Sequence, residues 1–260
     1  MAQKAWRSSI LCLTAALTSL PVAAAPGNAA DEWGYLGSIY LWGAGIEGTT
    51  ANGSSIDIGF DDLISNLDFA LMGSLEARKG DWSILGDVVY MDVSAGNSST
   101  IVVTPGPGPG VPVQTVGRVE VKGLVLNLLG GYTVARTGAS VVDVIGGVRY
   151  LEMDTSLRGQ ITVGPATQPV SVNADQSAWD LVVGLRGRSN LNDKWFATYH
   201  ADIGTGESEV TWQLVGGVGY RFDWGEVSLS YRHLEWEADG NEAIHDINFS
   251  GPLLSAGFRF

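Results

Sequence analysis

Counting back from Phe260, every second residue is apolar: Phe258, Ala256, Leu254 and Pro252. Between them stand Arg259, Gly257 and Ser255, with one apolar exception at Leu253. A period of two puts alternate side chains on opposite faces, so Ile247 to Phe260 reads as a β-strand with one apolar and one mostly polar face. The same alternation runs up and down the rest of the chain. No segment offers the ~18 or more consecutive apolar residues of a transmembrane helix. A soluble sandwich shows the same alternation, so the destination of the chain has to be settled by what precedes the strands.

Residues 1–24 read as an export signal and are set apart from the fold. Lys4 and Arg7 form a positive start, Ile10 to Leu20 an apolar core, and Val22-Ala23-Ala24 the small residues of a cleavage site. A cut after Ala25 would put Pro26 directly behind it, so the cut is placed after Ala24. Cys12 lies inside the removed segment without a lipoprotein pattern before it, which leaves the mature chain free of disulfides and thiolate metal sites. Loss of Lys4 and Arg7, with no acid lost, moves the net charge from −13 to −15 and disfavours nucleic acid as a partner. An exported chain of two-faced strands belongs in the periplasm or the outer membrane. In lipid, only a closed barrel satisfies every backbone group without helices. Charged residues make up only 17% and glycines number 35 in 260, which suits a barrel wall better than a soluble acidic enzyme.

Ten wall strands can be counted over residues 25–260. Trp33 to Thr50 is the first, turned by Asn52-Gly53, a strong hairpin signal. Both of its faces carry aromatics, so its facing stays open. Ser54 to Phe60 is extended, and Asp61 to Asn66 forms one helical turn. The second strand, Asp68 to Arg78, presents Phe69, Leu71, Leu75 and Ala77 on one face. The third runs from Trp82, continues to Thr104, turns in the Pro105–Gly110 run and returns from Val111 into the fourth. Arg136-Thr137-Gly138 leads to the fifth. A second long hairpin turns near Gly164-Pro165, so long extracellular hairpins are expected near 95–117 and 155–175. The remaining strands begin near Trp179, Trp195, Trp212, Val227 and Ile247.

An even count, short turns alternating with long loops, and both ends on the short-turn side predict an all-β, ten-stranded antiparallel up-and-down transmembrane barrel. Eight or twelve strands remain compatible with the pattern. Trp82 and Tyr90, like Trp212 and Tyr220, are outward aromatics eight residues apart. At ~3.3 Å per residue and ~40° tilt this is about 20 Å along the membrane normal, close to the spacing of aromatic girdles.

The order of motifs also resembles a known group. Tyr40-Leu41-Trp42-Gly43-Ala44-Gly45-Ile46-Glu47-Gly48 is followed by Phe60-Asp61-Asp62-Leu63 and Asn66-Leu67-Asp68-Phe69. Then come Gly147-Val148-Arg149-Tyr150-Leu151, Glu209-Val210-Thr211-Trp212-Gln213, Gly219-Tyr220-Arg221-Phe222 and Ser250-Gly251-Pro252. Together these resemble a family of small proteobacterial outer-membrane β-barrel proteins, in the style of the OmpA/OmpW-like barrels. The likeness spans nearly the whole mature chain and implies fold and location, with no activity and no catalytic residue. It implies outer-membrane lipid and lipopolysaccharide as surroundings. The strand ending in Phe260 resembles the signal read by the barrel-assembly machinery.

Alternation points Arg78, Arg149, Arg186, Arg188, Arg221, Arg232 and Arg259 into the lumen, together with Asp68, Glu76, Asp87, Asp143, Asp180, Asp202 and His200. Buried charges must pair or stay hydrated, so these groups are expected to form an ion-pair network filling a narrow barrel. A selective pore is the alternative, but ten strands lie nearer the filled eight-stranded barrels than the open porins. Arg186 is expected to pair with Asp180, Asp143 or Asp202.

Two constellations of residues have the types that catalysis uses. His200 and Asp202 resemble in spirit the His/Asp chemistry of the omptin proteases, also ten-stranded, but no further motif matches. If the last two strands pair, His233 falls opposite Ser250 with Glu235 nearby, a Ser/His/Glu group on the outward face such as an outer-leaflet lipid hydrolase needs. Against it, Val148-Arg149-Tyr150-Leu151-Glu152 parallels Tyr231-Arg232-His233-Leu234-Glu235, which makes His233 a girdle aromatic. The three histidines are scattered, and Asp61, Asp62, Glu235, Glu237, Asp239 and Glu242 read as loop charges, so no metal site is expected. No Gly-rich loop opens a helix after a strand, so no nucleotide or other cofactor is expected. The reading is a non-enzymatic barrel with a largely occluded polar lumen and a structural or surface-binding role. A small diffusion channel and a lipid-modifying enzyme are the alternatives.

Overall fold

The computed structural model describes residues 32–50, 55–103, 111–163, 166–237 and 244–260. The export segment, the Asn52-Gly53 turn, the Pro105–Gly110 run, the Gly164-Pro165 turn and the loop at 238–243 lie outside the described residues. The strands are β1 Gly34–Trp42, β2 Gly45–Thr50, β3 Ser55–Ile58, β4 Leu67–Lys79, β5 Trp82–Val103, β6 Val111–Arg136 and β7 Ser140–Val163. They continue as β8 Ala166–Asn190, β9 Trp195–Gly206, β10 Val210–Arg221, β11 Glu226–Glu237 and β12 Ile244–Arg259, and one short helix, α1 Phe60–Ser65, lies between β3 and β4.

From β4 to β12 each strand pairs antiparallel with the next. The sheet closes because β12 pairs β11 on one edge and both β1 and β2 on the other. Thus β1 and β2 are one wall strand, and the wall has ten strands. Its register does not slip across the break, running from Trp42↔Leu253 to Gly45↔Ser250. The break has a chemical cause in Pro252. Its carbonyl accepts from Gly43 N at 2.8 Å, but proline has no N–H to return.

A second irregularity lies on the other edge of this strand. β1 pairs β4 only from Gly34↔Arg78 to Ile39↔Gly73. Beyond that point β2 takes β3 as its partner, from Ile46↔Ile58 to Thr49↔Ser55, and α1 leads back to the top of β4. Among the described residues, no backbone ladder joins Leu67–Met72 to β1 or β2. The wall therefore has a seam in its outer half.

The outward face is apolar. Ile39, Leu41, Leu71, Ile84, Leu128, Leu181, Ile203, Leu214, Leu229 and Leu254 are all exposed. Two bands of aromatics bound it. At the short-turn end Trp82 packs on Tyr132, Trp195 on Tyr220, and Tyr35 on Phe260. At the other end Phe69 packs near Tyr90, Tyr150 on Trp179, and Trp212 on His233. The facing of the first strand is resolved by burial: Tyr40 and Trp42 point inward at 8% and 4% exposure, while Ile39 and Leu41 point outward at 65% and 71%.

The wall is uneven in height. β9, β10 and β11 have 12 residues each, whereas β5 to β8 have 22 to 26. At ~3.3 Å per residue the short strands are roughly 40 Å long and the long ones roughly 70–85 Å. The two long hairpins are thus continuations of the wall, paired through Val103↔Val111 and Val163↔Ala166.

Candidate functional site

Seven strands each send one polar side chain to the same level of the lumen. Tyr40 Oη donates to Asp87 Oδ2 at 2.6 Å, and Asn127 Nδ2 donates to Asp87 Oδ1 at 3.1 Å. Arg149 Nε donates to Asn127 Oδ1 at 2.9 Å, and Arg149 Nη2 to both Asp202 oxygens at 2.7 and 2.9 Å. Gln213 Nε2 donates to Asp202 Oδ2 at 3.3 Å, and Gln213 Oε1 accepts from Arg232 Nε at 2.8 Å. Arg232 then reaches Asp87 Oδ1 and Tyr40 Oη, both at 3.4 Å, which closes the cycle. Alternation dictates this convergence, since each residue sits at the inward parity of its strand.

The belt holds two guanidinium groups and two carboxylates, so its formal charges cancel. Arg149 is fully buried and Arg232 is 4% exposed. Such burial is tolerable only because the groups are paired and hydrogen-bonded throughout. Arg149 also donates to Thr211 Oγ1 at 3.0 Å. On the outer side the cations lie against indoles, Arg232 at 4.6 Å from the Trp42 ring and Arg149 at 5.9 Å from Trp236.

Nearer the short turns the lumen carries a second charged level in two groups. Arg78 contacts Glu76, Thr133 and Asp143, and Arg186 lies 2.7 Å from Glu76 and 3.5 Å from Asp143. Arg188 grips Glu226 with two hydrogen bonds of 2.7 and 3.0 Å, and Arg259 adds a third at 2.9 Å. The Arg188 guanidinium also lies 3.4 Å from the Phe196 ring centroid. Between the two levels Leu129, Ile145 and Val182 pack with Leu85.

Not every expected lumen residue joins these groups. Asp68 is exposed at the rim, where a register shift beside it lets it accept from Ser94 Oγ at 2.6 Å. Arg221 serves the turn before β9, donating to Asp193 O and Asn190 Oδ1. Among the described residues the buried Asp180 bonds only Ser208, through Ser208 N at 3.0 Å and Oγ at 2.7 Å, and its Oδ2 has no partner. Of the three acids expected for Arg186, only Asp143 is in reach, with Glu76 as the nearer partner. Conversely, Tyr40, Asn127, Gln213 and Glu226 bind the arginines without having been singled out. The inward parity of Asn127, Gln213 and Glu226 is readable in the sequence, whereas that of Tyr40 is not, because both faces of the first strand carry aromatics.

Arg186→Leu would leave Glu76 to Arg78 alone and is expected to lower the urea midpoint of the refolded barrel. Arg186 keeps 13% exposure, so the loss should stay below the ~3–5 kcal/mol of a dry pair. A raised midpoint would contradict the pairing.

The outer half of the lumen corrects the expectation of a polar interior. Above the belt an apolar cluster of Ala44, Ile46, Val89, Val93, Val125, Leu151, Met153, Leu234, Trp236, Ile247 and Phe249 is buried, with Thr211, Asp180 and Ser208 as buried polar groups on the β8–β10 side. A cavity of about 130 Å³ lies among them, touching Trp42, Ile46, Val125, Met153 and Phe249.

Neither catalytic constellation is free of counter-arguments. His200 Nε2 lies 2.5 Å from Asp202 Oδ2, but the Asp202 side chain is fully buried and shared with Arg149 and Gln213, which keeps substrate away. On the outward face His233 Nδ1 lies 2.5 Å from Ser250 Oγ, and His233 Nε2 lies 3.0 Å from Glu235 Oε2. The same ring stacks 4.4 Å from Trp212, the packing of a girdle aromatic. His233 sits inside continuous ladders on both edges and Ser250 inside the ladder to β11, where backbone N–H groups serve strand pairing instead of an oxyanion.

No protein-family model matches the chain. No curated protein matches it either. Among solved structures, the translocator domain of the autotransporter NalP from Neisseria meningitidis aligns at 13% identity and TM-score 0.38, covering 88% of each chain. The attachment invasion locus protein Ail of Yersinia pestis aligns at 8% identity and TM-score 0.33, over 88% of this chain and 99% of that one. The Pseudomonas putida toluene transporter TodX aligns at 10% identity and TM-score 0.29, over 88% and 90%. Similarity of this size is to the fold alone, and the barrel assignment rests on the ladders of this chain.

Proposed function

We propose that this protein is a non-enzymatic outer-membrane barrel whose lumen is closed to ions and small solutes, with a structural or surface-binding role. The observation that carries the reading is the closed cycle of Tyr40, Asp87, Asn127, Arg149, Asp202, Gln213 and Arg232 across the lumen. Both carboxylates and both guanidinium groups find partners in the belt, and Thr211 takes a further Arg149 hydrogen bond, so no hydrated path is needed to satisfy the charges. The apolar outward band between two aromatic bands supports a membrane location with outer-membrane lipid and lipopolysaccharide around it. The tall sheet of β5 to β8 supplies the surface for a binding role. Liposome swelling tests the reading: barrels refolded into vesicles should admit no small sugar. Swelling at a steady rate would favour the small diffusion channel.

A second reading, a lipid hydrolase, is favoured only by the Ser250–His233–Glu235 contacts. Its test is fatty-acid release from phospholipid micelles. We expect none, and release that disappears in Ser250→Ala would establish the enzyme.

A further inference from the structure

The belt turns the outer half of the lumen into a blind apolar chamber, and the seam adjoins it. The cavity of about 130 Å³ is bounded by Trp42 and Ile46 on one side of the seam and by Asn66, just before β4, on the other. Val125 of β6 and Met153 of β7 line it as well, and Phe249 lines it beside its ladder partner Ile46. The seam itself is joined by a weak contact: Trp42 N donates to the Met72 thioether at 3.3 Å, where a ladder would supply a carbonyl. It opens onto the lipid-facing band, since Leu41 and Leu71 beside it are outward and exposed. An open edge in hydrocarbon is costly unless something covers it.

Two further observations concern what fills the chamber. The wall is incomplete at Gly123, where an added Cβ would meet nothing within 4 Å. Trp42 is buried at 4%, lines the cavity, and has an indole N–H without a partner among the described residues. A dry apolar cavity of roughly 150 Å³ takes a molecule the size of benzene. Buried N–H groups without an acceptor are uncommon and ask for one.

We infer that the chamber is a binding site for a hydrocarbon ring or chain carrying one hydrogen-bond acceptor, with the seam as its side wall toward the outer leaflet. The hydrocarbon replaces the missing packing around Gly123, and the acceptor meets the Trp42 indole. The shared chemistry has two sources, a free aromatic solute with a hydroxyl or carbonyl and the acyl chain of a membrane lipid with its ester carbonyl. The site goes beyond the stoppered-barrel reading and does not share its test: a barrel that swells liposomes but binds in the chamber loses the stopper and keeps the site.

The test uses the full mature chain refolded into phospholipid vesicles. The Trp42 component of emission is taken as wild type minus Trp42→Phe, which removes the lipid-facing tryptophans from the signal. In one arm 4-bromophenol is titrated into ordinary vesicles. In the other, no solute is added and the vesicle lipid is brominated on its acyl chains. Gly123→Leu fills the cavity in both arms, with unchanged heat-modifiable migration as the check that it folds. Quenching by bromophenol assigns the chamber to a free solute, quenching by brominated lipid assigns it to an acyl chain, and either should be lost in Gly123→Leu. No quenching of the Trp42 component in either arm, or quenching undiminished in Gly123→Leu, would overturn the site.

Discussion

Arg149→Leu is expected to destabilise the refolded barrel by about 3–5 kcal/mol, because it leaves a buried carboxylate without its cation. Arg149 supplies Asp202 with two hydrogen bonds, Asn127 with one and Thr211 with one, from a fully buried position. After the change Asp202 keeps only His200 and Gln213. A large drop in the urea midpoint is the expected readout. Adding Asp202→Asn should recover much of the loss, since a neutral pair in the same space carries no unpaired charge. If the single change costs less than about 1 kcal/mol, water reaches the belt and the lumen is not sealed there.

Gly251→Ala is the second large expected effect, and it concerns closure of the wall. A Cβ at Gly251 would overlap the carbonyl oxygen of Gly43 and crowd its carbonyl carbon at 2.6 Å. Both clashing atoms are backbone, at the break where Pro252 cannot donate, so neither has a side chain to swing away. Overpacking costs about 1–3 kcal/mol, and the upper end or beyond is expected against atoms that cannot yield. The variant should refold poorly and lose its heat-modifiable band, while Gly123→Ala, whose Cβ meets nothing, should refold as the wild type does. Normal refolding of Gly251→Ala would mean that β1 and β12 approach each other differently from the described ladder.

Much of this wall was legible because a barrel strand obeys one rule. Trp82, Ile84, Leu181, Leu185 and Leu214 each have a polar neighbour on at least one side, and all are exposed on the outward face. The rule places Asp87, Arg149 and Arg232 inward as well, and they meet at one level because neighbouring strands keep register. The rule fails where both faces of a strand are apolar. Leu124-Val125-Leu126 carries no polar mark for the lumen side, so nothing local separates a lipid-facing residue from one in a dry chamber. At Leu234 and Trp236 the pattern is inverted, with the apolar residues inward and His233 and Glu235 between them. The seam was equally hidden. It arises because β2 takes the nearby β3 as partner in place of β4, a competition between local and distant pairing that alternation does not register. Asp68 shows a third limit, since parity counted along a strand is broken by a register shift at its end.

The central claim, that a hydrogen-bonded belt stoppers the lumen, is tested most directly by planar-bilayer recording of the wild type beside Asp87→Ala/Arg232→Ala. Removing this pair takes out the contact between β5 and β11 that crosses the lumen, and leaves the formal charge of the belt balanced. The account predicts a wild type without steady conductance and discrete, stable current steps in the double variant. A large and stable wild-type conductance, unchanged by the double substitution, would contradict it.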